Sequence, residues 1–262
     1  MTDTRLHEFG PGIWIADGPA VPFAGFPYST RMALIRLSDG GVFAWSPVAL
    51  TDALRREVDR LGPVRSIVSP NRLHHLFLGE WKAAYPAARL HAPPGLRRKR
   101  KDLDFDGNLG EAPEPGWAVD IDQVTVHGSF YLTEVVFFHW ASGTAIFGDL
   151  LQNFRPDWFK GWKSFVARHG GICAPHPGAP KDWRATFLGR RAARRSLHRI
   201  LAWPIERVLI AHGDPADRDG AAFVRGAFGW LLGPPDERPA VRRARPARSA
   251  CPPRRSPPAG KR

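Results

Sequence analysis

A chain of 262 residues, 43% of them hydrophobic, can bury a sizeable core as one large domain, or as one domain with an appendage. No run of about 18 apolar residues occurs, so no membrane span is expected, and the opening MTDTRLHEFGPG lacks the basic and apolar stretches of a secretory signal. The formal charge of +13 invites a nucleic-acid partner, but nine Lys/Arg against two Asp/Glu from Asp236 to Arg262 put +7 of it in a Pro/Arg-rich tail, and no specific nucleic-acid binding is expected. With only Cys173 and Cys251 present, neither a structural disulfide nor a cysteine zinc motif is expected, and a cytoplasmic location is the default.

In chain order, GIWIAD reads as a short strand, and RMALIRL and GVFAWSP as two more joined through SDGG, whose Asp-Gly-Gly suits a tight hairpin. Thr51 can cap a helix over TDALRREVDRLG, ended by Gly62-Pro63. RSIVSP is a buried-type strand, LFLGEWKAAY a helix and ARLHAP a strand; this alternation predicts a layered α/β arrangement. KRKDLDFDGNLGEAPEPGW is polar and rich in Gly and Pro, so a surface loop is expected. Strands return in DQVTVHG, TEVVFFH and TAIFGDL, the last two forming a hairpin around Ser142-Gly143. KDWRATFLGRRAARRSLHRILAW predicts one long basic amphipathic helix with a solvated arginine face, ERVLIAHGDP a buried strand, and GAAFVRGAFGWLL a last helix. The predicted domain spans residues 1–233, and the Pro/Arg-rich 234–262 has too few large apolar residues to pack a core and is expected to be disordered.

Ligand-type residues stand just after three apolar strands: His74 and His75 after RSIV, Asp149 after TAIFG, and His212 after RVLIA. In α/β folds sites form where strands end, and a nitrogen-rich set with one carboxylate suits zinc or iron. Taken singly, each residue is open to a plainer reading: an Asp after Gly can be a turn residue or helix cap, and a histidine can be hydrogen-bonded at the edge of a core. Adjacent histidines point to opposite faces of a strand, or diverge by about 100° on a helix, so His74 and His75 can share a metal only in a turn. Should the helix begin at His74, one of them can instead pack inward.

Taken together, the order and context of these elements resemble the metallo-β-lactamase superfamily. AIFGDLL is similar to its strand-end GD element, VLIAHGDP to its final GHG-like element, and IVSPNRLHH occupies the place of its HxHxDH loop. A closer resemblance exists: DGPAVPFAGFPYSTRMALIRLSDGG, SPNRLHHLFLGEW, TEVVFFHWASGTAIFGDLLQNF and DWFKGW are similar to an uncharacterised family of that superfamily, domain of unknown function 4336. The resemblance implies a four-layer αββα sandwich. It places Pro70 and Arg72 at the first two histidines of HxHxDH and Phe130 at the separate middle histidine, so one site of a dinuclear pair has lost its histidine ligands.

The other site keeps more. His75 and His212 stand at its histidine positions, His74 replaces its aspartate, and Asp149 matches the carboxylate that bridges two metals in the superfamily. These four imply a centre for one divalent metal, zinc or iron, with Asp149 as ligand or as the group orienting a nucleophilic water. The Arg72 guanidinium is expected to fill part of the vacated space and pair with Asp149 or a substrate anion. His176, in the proline-rich APHPGAP, is a candidate pocket residue; Glu80 is a candidate buttress for a histidine or plain helix surface; His139 is a candidate rim residue. His91, His127, His169 and His198 read as structural or solvent-facing, and the aromatic FRPDWFKGW as a loop pinned to the core or the roof of a cleft. The implied function is hydrolysis of a small-molecule ester, thioester, lactone or phosphoester; the alternative is a non-catalytic relative whose site is structural or empty and which acts in binding or assembly.

Overall fold

The computed structural model describes residues 4–233, so the expected disordered tail lies outside the described residues. Strands β1 (His7–Gly10), β2 (Ile13–Phe23), β3 (Phe26–Arg36) and β4 (Val42–Trp45) form an antiparallel run. Parallel β5 (Val64–Val68), β6 (Arg89–Ala92) and β7 (Gly107–Asn108) complete a seven-stranded sheet in sequence order. A second sheet of β8 (Ile121–Val126), β9 (Glu134–His139), β10 (Thr144–Phe147) and β11 (Arg207–Ile210) has the order β11-β10-β9-β8. Within it β10 pairs antiparallel with β9 and parallel with β11.

The side-chain period of a strand sorts these residues into layers. In β4, Phe43 and Trp45 enter the core between the sheets, where they meet Val135 and Phe137 of β9 and Ile146 of β10. Val42 and Ala44 face outward and pack with Leu54 and Val58 of α1 (Asp52–Leu61), Trp81 of α2 (Leu78–Ala84) and Leu96 of α3 (Leu96–Lys99). Val136 and Phe138 of β9 face outward on the other side, against helices α5 (Lys181–Ala185), α6 (Arg190–Ile200), α7 (Gly220–Ala227) and α8 (Gly229–Leu232). Helix α4 (Trp162–Gly170) lies apart, with Ala167 in a small cluster around Phe154 and Phe159. The layers are therefore α, β, β, α, as expected. Both faces are covered at β4 and through β8 to β11, which is why those strands read as nearly unbroken apolar runs.

The expected hairpins and cap are present: β3 turns into β4 through Gly40 at φ 82, β9 into β10 through Gly143 at φ 59, and Thr51 Oγ1 accepts from Leu54 N at 3.1 Å. The single long helix is not. It breaks between Ala185 and Arg190, because Phe187 turns into the core and Gly189 N donates to Gly128 O. A Cβ on Gly128 would lie 2.5 Å from Gly189 O, so the two glycines let the backbones touch. The last helix likewise divides at Phe228. The β2–β3 hairpin runs well beyond GIWIAD and RMALIRL, carrying Pro19 and Pro22 on a stretch of β2 that pairs only with β3. Proline is tolerated on such an open edge. The loop after Arg100 is anchored by buried Phe105, Leu109 and Trp117. Among the described residues no helix is long and apolar enough to cross a membrane.

Candidate metal centre

Strand register brings the candidate residues together. Phe147 of β10 pairs with Ile210 of β11, so the next residues, Gly148-Asp149 and Ala211-His212, leave the sheet side by side. In the facing sheet Trp45 of β4 pairs with Val68 of β5, and Ser46 N donates to Val68 O, which sets Ser46 beside the turn 69–75. Four strand ends thus converge on one edge of the sandwich. Gly148 is required there by close approach: a Cβ would lie 2.9 Å from Glu134 Oε2 and 3.1 Å from Asn71 Nδ2.

The turn separates the two adjacent histidines. Pro70 O accepts from Val135 N at 2.8 Å, tying the turn to the second sheet, and Asn71 Oδ1 accepts from Leu73 N at 2.8 Å. His74 then points inward, with Nε2 3.1 Å from Asp149 Oδ2 and Nδ1 2.7 Å from Ser46 Oγ. Ser46 holds this contact at φ 50, an uncommon backbone region for a residue other than glycine. His212 reaches Asp149 Oδ1 with Nε2 at 3.1 Å, and its Nδ1 donates to Ser29 O at 2.6 Å. One ligand atom from each of His74, Asp149 and His212 fits within 4.8 Å of the other two.

The expectation that His75 joins this group is not met. Its Nδ1 lies 3.2 Å from Arg100 Nη1, which also donates to the His75 carbonyl at 2.6 Å, and burial together with Lys99 and Arg100 pushes its pKa down to about 4. Arg72 does not pair with Asp149 either; its guanidinium lies over the Tyr131 ring, 5.3 Å from the centroid. The place beside Asp149 belongs to Asn71, whose Nδ2 donates to Asp149 Oδ2 at 2.7 Å and to Glu134 Oε2 at 2.8 Å. Glu134 also accepts from the backbone amides of Gly148 and Asp149 at 2.9 and 2.7 Å. Neither Asn71 nor Glu134 stood out in the sequence. The available signal was a carboxylate opening the fully buried strand EVVFFH, a place where only a partnered acid is tolerated.

His176 lines a cavity, but a different one from that beside the cluster. Glu80 is exposed, and His139 sits at the opposite end of β9 with Nδ1 on Ser142 Oγ. Phe130, at the position of the middle histidine, is 74% exposed. In FRPDWFKGW, Phe154 and Phe159 pack behind Tyr28, so the segment braces a wall of the site cavity.

Two buried carboxylates this close resist ionising together. Burial would raise Asp149, but His74 and His212 outweigh it and hold this group below the usual carboxylate range. Burial and the Asp149 charge push Glu134 up to about 7. His212 gives the test of whether the cluster fits a cation. The Ser29 carbonyl can only accept, so Nδ1 carries a proton, and Nε2 faces a carboxylate oxygen. At 3.1 Å that approach needs a proton or a cation between nitrogen and oxygen. Two ring nitrogens and one carboxylate are the donor types a single divalent ion takes. The adjoining cavity, about 70 Å³, is walled by Val21, Phe23, Tyr28, Leu73, Leu76 and Phe77.

The pattern described as Domain of unknown function (DUF4336) matches residues 26–159, just over half of the chain and including His74 and Asp149. The chain belongs to this family. Among solved structures, this member is similar to a metallo-beta-lactamase from Pontibacter korlensis at 8% identity, covering 88% of this chain and 100% of that one with a TM-score of 0.57. It is similar also to the metallo-beta-lactamase FIM-1 from Pseudomonas aeruginosa in the mono-zinc form, at 9% identity, 88% and 97% coverage and a TM-score of 0.57. A third match is the metal-soaked Flv1 flavodiiron core from Synechocystis, at 10% identity, 88% and 61% coverage and a TM-score of 0.57. At such identities the likeness establishes the fold, and the sandwich of this family member is the metallo-β-lactamase fold. No curated protein matches the chain.

Proposed function

We propose that this protein is a metal-dependent hydrolase working with one divalent ion, zinc or iron, held by His74, Asp149 and His212. The observation that carries this reading is the Nε2 of His212 facing Asp149 Oδ1 while its Nδ1 is committed to Ser29 O. An ion held there would supply a water of lowered pKa and polarise a carbonyl or phosphoryl oxygen. The chain supplies the positioning: Ser29 O and Ser46 Oγ fix the two rings, and Asn71 and Glu134 fix Asp149, as outer partners of metal ligands do.

The cavity narrows the substrate. Neither lysine nor arginine lines it, so no side-chain cation is placed to meet a phosphoryl group, and apolar walls face any acyl group that enters. Tyr28 keeps its proton, because burial and the Asp149 charge raise its pKa, so this wall offers a hydroxyl donor. These features favour an uncharged ester, thioester or lactone over a phosphoester.

A second reading has its own support: protonated His74 and His212 would satisfy Asp149 as a metal-free ion-pair cluster, leaving a non-catalytic member of the fold. The experiment that separates the two is hydrolysis of p-nitrophenyl acetate, an acyl thioester and a γ-lactone by protein reloaded with zinc or iron(II). The hydrolase reading predicts metal-dependent turnover of at least one, lost in His212→Ala. The cluster reading predicts none.

A further inference from the structure

A second cavity, about 650 Å³, has Asn153 in its wall and shares no lining residue with the one beside the histidines. Its volume lies within the roughly 300–1,000 Å³ of small-molecule pockets. Arg168 of α4, Lys181 and Arg184 of α5, and His176 line it, and no carboxylate does. Asp182, the nearest acid in sequence, lines a separate cavity. Among the described residues none of the three cations is ion-paired.

Arg184 is the decisive group. It is half-buried and pinned, with Nε donating to Ala179 O at 2.8 Å and the guanidinium 5.7 Å from the centre of the Trp230 ring. A Cβ on Gly178 would lie 2.5 Å from Arg184 Nη2, so the local chain leaves room for the guanidinium. Burial lowers its pKa with no carboxylate to offset the penalty. Removing a cation from water without an anion is costly, so a fixed, unpaired arginine marks a place where the anion arrives with a ligand. Phe223 and Trp230 add ring surface beside it.

We infer that this cavity binds a small ligand joining a phosphate to a planar ring, of nucleoside monophosphate size, with Arg184, Lys181 and Arg168 on the phosphate and Trp230 and Phe223 against the ring. The test is titration calorimetry of the full chain with the 5′-monophosphates of adenosine, guanosine, cytidine and uridine. At least one is expected to bind one to one and to weaken tenfold or more in Arg168→Gln/Lys181→Gln, a pair of exposed positions whose change spares the fold. Trp230→Leu is expected to reduce the affinity to that of ribose 5-phosphate. Arg191→Gln/Arg195→Gln, on the exposed face of α6, removes the same charge elsewhere and is expected to change binding less than twofold. Saturable binding of none of the four, or equal weakening by the two double variants, would overturn the inference.

Discussion

Among the described histidines enclosed at or just past strand ends, His91 on one side and His74 and His212 on the other have opposite surroundings. His91 in β6 is 1% exposed, neither ring nitrogen has a hydrogen-bond partner, and the ring meets Trp117 edge-on at 4.8 Å. The side chains of His74 and His212 are nearly as enclosed, 9% and 6% exposed, yet each has an oxygen on Nδ1 and a shared carboxylate on Nε2. Burial therefore does not separate a packing histidine from one placed to hold an ion. The oxygen inventory around the two nitrogens does, because it sets which nitrogen is free and what it faces.

The contrast is most strongly tested at the shared carboxylate. Asp149→Asn removes the only charge on which both rings converge, and metal affinity, read by competition with a chelator, is expected to fall more than about 100-fold. Glu134→Gln leaves the ligands in place and alters their support; a 10–100-fold loss is expected, the usual effect of changing an outer partner. His91 supplies the opposite case. Burial and Arg89 push its pKa down to about 4, so the unfolded chain takes up the proton first as pH falls below about 6.5. The folded state thus loses stability as pH falls from about 6.5 towards 4. At about 1.4 kcal/mol per pH unit, wild type is expected to lose about 2 kcal/mol between pH 6.5 and 5 that His91→Leu does not lose, measured by urea unfolding. The smallest effect belongs to Arg72→Ala: metal affinity unchanged within about twofold, and stability lowered by about 1 kcal/mol or less through loss of the Tyr131 contact.

Why some of this was legible in the sequence and some was not follows from contact range. The central strands of both sheets are apolar on two faces, and Gly40, Gly143 and Thr51 act on their own neighbours, so the layers and turns could be read locally. Asp149 and His212 stood out by their place after apolar strands together with the resemblance to the superfamily, and the strand pairing brings them side by side. The choice between His74 and His75 could not be read in that way. It is set by Pro70 O on Val135, by the Asn71 fork to Glu134 and Asp149, and by Arg100 on His75, contacts that reach 25 to 78 residues along the chain. The break between α5 and α6 has the same origin, in Gly128 pressing on Gly189. Arg72 was assigned by position alone; a flexible guanidinium goes to the nearest ring, and the short, rigid amide next to it fits between two carboxylates.

The central claim is that His74, and not its neighbour, completes the centre. Metal content per chain after reloading and gel filtration tests it directly, in wild type, His74→Ala and His75→Ala. One ion per chain is predicted for wild type and His75→Ala, and none for His74→Ala. Wild type without stoichiometric metal, or metal kept by His74→Ala and lost by His75→Ala, would contradict it.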